Sequence, residues 1–162
     1  MKMAHLNSLY KEIKDILQQA RQSAYQSVNF AMVIAYWKIG KSIVEEEQKG
    51  KSKAAYGTAL LKELSMQLTA DFGKGYSETN LKYFRQFYLT FSFYENSHAL
   101  SDQSNVTVNQ KSHALRSELT WTHYRLLMRV ENEAARDYYM EEAIAQNWST
   151  RALERQDKFF LL

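Results

Sequence analysis

Residues 56–91 read YGTALLKELSMQLTADFGKGYSETNLKYFRQFYLTF. Leu60, Leu61, Leu64, Leu68 and Phe72 recur three or four residues apart, the spacing of one face of an α-helix. Gly73, Lys74 and Gly75 then interrupt it, because glycine adopts the left-handed helix end without steric penalty. Ser77 is placed to act as an N-cap, its hydroxyl accepting a free amide of the next turn. A second helix follows, with Leu81, Phe84, Tyr88 and Phe91 on its apolar side. Glu78, Thr79, Lys82, Tyr83, Arg85 and Gln86 are expected to face outward. Two helices joined by a tight glycine turn have the layout of a helix-turn-helix, although an ordinary helical hairpin shares that pattern.

The rest of the chain supports an all-helical reading. With no proline and five glycines in 162 residues, few positions can break a helix. The hydrophobic fraction of 45% is enough to exclude wholesale disorder, and the length suits one domain. Cysteine is absent, which excludes disulfides and cysteine-ligated metal. The N-terminus MKMAHLNSLYKEI has no apolar signal-peptide core, and no run is long enough to span a membrane. A soluble, cytoplasmic protein is expected. The net charge of +3 permits nucleic-acid binding without demanding it.

Before the central pair, Leu6, Leu9, Ile13, Ile16, Leu17, Ala20 and Ala24 trace a helical stripe. It runs on into FAMVIAYWKI at 30–39, apolar on nearly all sides and suited to burial. The expectation is one long helix, or two with a kink near residues 23–27, ending by Gln48. Helices of that length often mediate oligomerisation. Tyr36 and Trp37 are read as packing residues. The charged stretch 45–53 reads as a solvated helix end and loop, with lysines that could also touch phosphates. After the pair, residues 94–117 lose apolar periodicity and read as a polar loop, in which Val106 and Val108 allow a small wing. His98 and His113 in that loop lack the partners a metal would need. Order resumes at Leu119: Thr120 is an N-cap before WTHYRLLMRV. A helix over 131–147 relies on Ala134, Ala135, Tyr138, Tyr139, Ile144 and Ala145 for apolar contact. A last helix follows Ser149, with Leu153 inward and Arg151, Arg155 and Lys158 outward.

Three blocks then stand in order: YWKIGKSIVEEEQKGKSKAAYGTALLKELSMQL (36–68), FGKGYSETNLKYFRQFY (72–88) and LTWTHYRLLMRVENEAARDYYMEEAIAQNWSTRALERQ (119–156). Together they resemble the N-terminal domain of the YhcG family, also called the DUF1016 proteins. The most specific features are Leu-x-Trp-x-His-Tyr at 119–124, the Tyr138–Tyr139 pair, and Trp-Ser-x-Arg-x-Leu at 148–153. The resemblance implies a helical, helix-turn-helix-like DNA-binding domain. Family members typically continue into a nuclease domain of the PD-(D/E)xK type, which is expected to be absent from residues 1–162.

The expected fold is therefore all-α: a multi-helix bundle with a long N-terminal helix, a helix-turn-helix-like core and a wing in the polar loop. The expected partner is double-stranded DNA, with Lys74 and Lys82 at phosphates and Asn80, Arg85 and Gln86 at base edges. No catalytic residue, cofactor or metal is expected. Nucleases of the PD-(D/E)xK type need carboxylates and a lysine on a sheet, and the two local Glu-x-Lys matches, at 12–14 and 47–49, fall in helical pattern. His123 is read as a packing residue rather than a general base. The alternative is a protein-interaction domain that forms a homodimer or docks a nuclease domain or subunit, consistent with the tyrosine-rich central helix.

Overall fold

The computed structural model of the protein describes residues 2–50, 54–92 and 115–160. Their regular structure is entirely α-helical: α1 Lys2–Lys49, α2 Ala54–Phe72, α3 Glu78–Thr90, α4 Trp121–Leu127, α5 Glu133–Ala145 and α6 Thr150–Phe160. The multi-helix bundle with a long N-terminal helix is thus as expected. Residues 23–27 do not divide α1; the chain carries no proline there to remove a backbone bond, and Ser27 Oγ donates to the Ser23 carbonyl at 3.0 Å within continuous helix. At about 1.5 Å per residue, α1 is roughly 70 Å long. The wing at Val106 and Val108, and His98 and His113, lie outside the described residues. Of the stretch read as a polar loop, Leu115 is buried and Arg116 is pinned to α4.

The second half of α1 is the spine. Its buried residues Val33, Trp37 and Ile43 pack with the buried residues of α3, and Val44 is buried too. Leu81, Phe84 and Phe87 form the buried side of α3. Full burial of side chains of this size contributes about 2–3 kcal/mol each. A larger cluster joins Val33 and Trp37 to Phe87 and Phe91, then to Leu119, Tyr124 and Leu127, and finally to Tyr139, Met140 and Leu153. A smaller one, Ile43, Leu61, Leu81 and Phe84, fastens α2 to the same spine. Trp121 bridges the two. Its ring lies 5.4 Å from Phe84 and 5.1 Å from Phe87, while Phe84 stacks on Tyr36 at 4.4 Å.

Polar groups in this core are satisfied where they are buried. Trp37 Nε1 donates to the Phe91 carbonyl at 2.9 Å, which closes the end of α3. The Tyr124 hydroxyl accepts from Arg116 N at 2.6 Å and donates to Arg116 O at 3.1 Å. No buried side-chain nitrogen or oxygen among the described residues lacks a partner.

Two apolar assignments shift by a residue or a turn. Phe72 ends α2 with 69% of its surface exposed, its ring 6.0 Å from that of Tyr76 in the glycine turn. In α5, Tyr139, Met140 and Ala143 are buried, whereas Tyr138 is exposed and Ala134 and Ala145 face solvent. The buried arc of α5 is narrower than its apolar composition suggests.

Candidate nucleic-acid interface

The turn between α2 and α3 is built as its residues dictate. Gly73 N donates to Thr69 O at 2.9 Å, and Gly73 and Gly75 adopt φ of +79° and +116°. These are left-handed conformations that a Cβ would oppose. Ser77 caps α3 by accepting from Asn80 N at 3.2 Å. Glu78 lies in the first turn, where the helix dipole favours an acid. With its other side against α1, α3 is fixed along its length.

The five residues assigned to DNA fall into two groups. Lys74, Lys82 and Gln86 are exposed, Lys74 in the turn and the other two one turn apart on α3. With Thr79 and Leu89 they make up its outer stripe. Asn80 and Arg85 are engaged within the chain. Asn80 Nδ2 donates to the Gly75 carbonyl at 3.0 Å, which locks the glycine turn. Arg85 Nε donates to Glu47 Oε2 at 2.6 Å, an ion pair that ties α3 to the end of α1. Glu47 is the more buried partner, and Gly57 of α2 packs beside it. The Glu47 carboxylate thus ties α1 to α3 at a corner that α2 also approaches. A side-chain census of α3 could not reveal this, since Glu47 lies 38 residues away and belongs to a run of three glutamates.

A further cation missed in the sequence lies beside α3. The Arg125 guanidinium of α4 sits 4.2 Å from the centroid of the Tyr83 ring, close enough for a cation–π attraction. Tyr83 is half-buried on α3 and adjoins the exposed Lys82 in sequence. Only the contact between elements distant in sequence makes Arg125 a candidate.

His123 has a structural role. Its Nε2 lies 2.9 Å from the Trp148 carbonyl, which can only accept, so Nε2 carries the proton and donates. Nδ1 then accepts from Thr120 N at 3.2 Å and from Thr120 Oγ1 at 2.8 Å. Thr120 and His123 form a reciprocal capping box in which histidine stands where glutamate or glutamine is usual. Both ring nitrogens are occupied, and α4 is tied to the turn before α6. The two Glu-x-Lys matches lie on α1, and no strand of the kind such a site requires occurs among the described residues. Among the described residues, no three or more histidines, cysteines, aspartates or glutamates cluster to hold a metal. No described helix is long and apolar enough to cross a membrane.

Residues 12–160 match the model of the DUF1016 N-terminal domain, and the chain belongs to this family. It is also 34% identical, over 165 aligned residues, to an Escherichia coli (strain K12) protein named "Putative nuclease YhcG". The alignment covers 91% of the chain but 44% of that relative, so the chain spans less than half of the relative's length. The matching family model is that of an N-terminal domain, distinct from a PD-(D/E)xK nuclease domain. No solved structure matches.

Proposed function

We propose that the protein is a DNA-binding module of a YhcG-type nuclease system, with α3 as the helix that meets the duplex. The observation that carries the reading is the division of α3. Its inner face is anchored on α1 and α4, while Lys82 and Gln86 are exposed and make no hydrogen bond or ion pair among the described residues. Lys74 and Lys82 contact phosphates, and Gln86 reaches a base edge, where an amide can pair with adenine. Arg125, over the Tyr83 ring, adds a further cation to this side of the bundle. Asn80 and Arg85 sit at its border: Asn80 sets the turn, and Arg85, held through Nε, keeps its Nη donors for a phosphate or base. The relative's name as a nuclease supports a nucleic-acid partner. A chain of this kind supplies binding, and the cleaving residues belong to a nuclease domain or subunit.

Amide hydrogen exchange of the protein with and without a mixed-sequence duplex tests this reading. Slowed exchange over 73–89 and 121–129 is the expected result. Protection confined to other helices would remove α3 from the interface. A second reading, an interaction domain that docks another chain, is favoured by one observation: every described side chain from His5 to Val28 is exposed.

A further inference from the structure

α3 carries two cations, Lys82 and Arg85, and the bundle treats them differently. Lys82 is exposed, whereas Arg85 donates through Nε to Glu47 Oε2 at 2.6 Å. The Glu47 side chain is the more enclosed of the pair, 19% exposed against 42% for Arg85. Fastening α3 does not account for this contact. Leu81, Phe84 and Phe87 already bury the inner side of the helix, and a partly exposed ion pair adds little to stability.

The pair does change what Arg85 offers to DNA. Phosphate binding draws on net positive charge and on the counterions that this charge displaces. Paired with a carboxylate, the Arg85 guanidinium brings little net charge. Directional donors remain. Only Nε is spent on Glu47, and both Nη nitrogens are without a partner among the described residues. A base edge calls for donors aimed at fixed points rather than for charge. In the major groove, guanine alone presents two neighbouring acceptors, N7 and O6, and a guanidinium fork matches them. Adenine sets an acceptor beside a donor, thymine an acceptor beside a methyl group, and cytosine a donor. The ion pair also settles the fork beforehand. A free arginine gives up rotamer freedom on binding, whereas one held through Nε has given up much of it on folding. Arg85 lies three residues after the exposed Lys82, so the two are neighbours on the helix surface. We infer that Arg85 reads guanine in the major groove through its Nη fork, and that Glu47 is the positioning residue that aims it. The inference rests on α3 being the helix that meets the duplex. It adds the base that is read and the residue that sets the reading.

A pool of randomised duplexes selected on the unmodified protein supplies the probe. The bound duplexes should share a guanine at one position. The selected duplex is then remade with 7-deazaguanine there, which replaces the N7 acceptor by C–H and leaves base pairing intact. Fluorescence anisotropy at one salt concentration compares the two. The unmodified protein should bind the guanine duplex at least about fivefold more tightly. Glu47→Ala with Arg85→Ala, which leaves neither charge unpaired, should bind both duplexes alike. Glu47→Gln should split affinity from selectivity: binding strengthens because a negative charge is gone, while the preference for guanine falls toward one. An ion pair with only a structural role would not move that ratio. No shared guanine, or equal binding of the two duplexes by the unmodified protein, would overturn the inference and leave α3 at the DNA. Binding of no duplex would overturn it together with the DNA-binding reading. A guanine preference that survives in the double variant would assign the base to another residue. A preference unchanged in Glu47→Gln would remove Glu47 as the positioning residue.

Discussion

Gly40 brings the backbones of α1 and α3 into contact at Phe84: any side chain at position 40 would run into the Phe84 carbonyl. The approach sets the height of α3 on the spine and lets Phe84 stack on Tyr36 one helical turn away. In an isolated helix, Gly→Ala is stabilising by about 1 kcal/mol. Here the sign should reverse, because the obstacle is backbone and cannot rotate aside. Gly40→Ala is expected to cost at least about 2 kcal/mol in equilibrium urea unfolding. A stabilised variant would show that the two helices are not in this contact.

The Glu47–Arg85 pair couples stability to the candidate interface. Both side chains are partly exposed, so Glu47→Gln should lower stability by only about 1 kcal/mol. The same change releases the Arg85 charge beside Lys82. Duplex affinity at low salt should therefore rise several-fold, and fluorescence anisotropy measures it. Unchanged affinity would place Arg85 away from the DNA.

His123 can be separated from a generic buried residue by two substitutions. His123→Ala leaves the Thr120 amide and the Trp148 carbonyl without partners and should cost about 2–3 kcal/mol. His123→Gln retains an acceptor for the cap and should cost distinctly less. Thermal unfolding of both variants gives the order. Equal losses would contradict the capping role.

Tyr36 introduces a dependence on alkaline pH. Burial, with a smaller contribution from neighbouring Tyr76, raises its phenol above the ordinary value of 10.0. Above that value the unfolded chain releases a proton that the folded chain still holds. Stability from this group is therefore complete below the unfolded pKa and falls as pH rises toward the folded one. Between about pH 9 and pH 11, the unmodified protein should lose more stability than Tyr36→Phe, which keeps the stack on Phe84 but has nothing to ionise. Parallel losses in thermal denaturation would exclude Tyr36 as a contributor.

Local chemistry was legible in the sequence, and long-range partnership was not. The Gly73–Gly75 break and the Ser77 and Thr120 caps follow from spacing and residue type alone, and each stands as read. So does burial of Leu81 and Phe84, which the helical period dictates. The period does not say how wide a buried arc will be, which is why Tyr138 and Phe72 are exposed despite their place in apolar stripes. Among the candidate site residues, exposure of Lys82 and Gln86 agrees with their outward pattern on the helix, and Lys74 is exposed in the turn. The engagement of Arg85 depends on a glutamate 38 residues away, and that of Arg125 on a tyrosine of another helix. Neither pairing leaves a local trace in composition or spacing. The stripe of the first half of α1 was readable as a face, but not as an exposed one.

Lys74, in the turn before α3, and Lys82, on α3, are expected to meet duplex DNA together. Fluorescence anisotropy with a mixed-sequence duplex over a range of salt concentrations tests this most directly. Each neutralised phosphate contributes about −0.9 to the slope of log affinity against log salt. Lys74→Ala with Lys82→Ala should therefore make the slope shallower by about 2 and weaken binding at least about tenfold. Absence of binding even at low salt, or a slope unchanged in the double variant, would contradict the account.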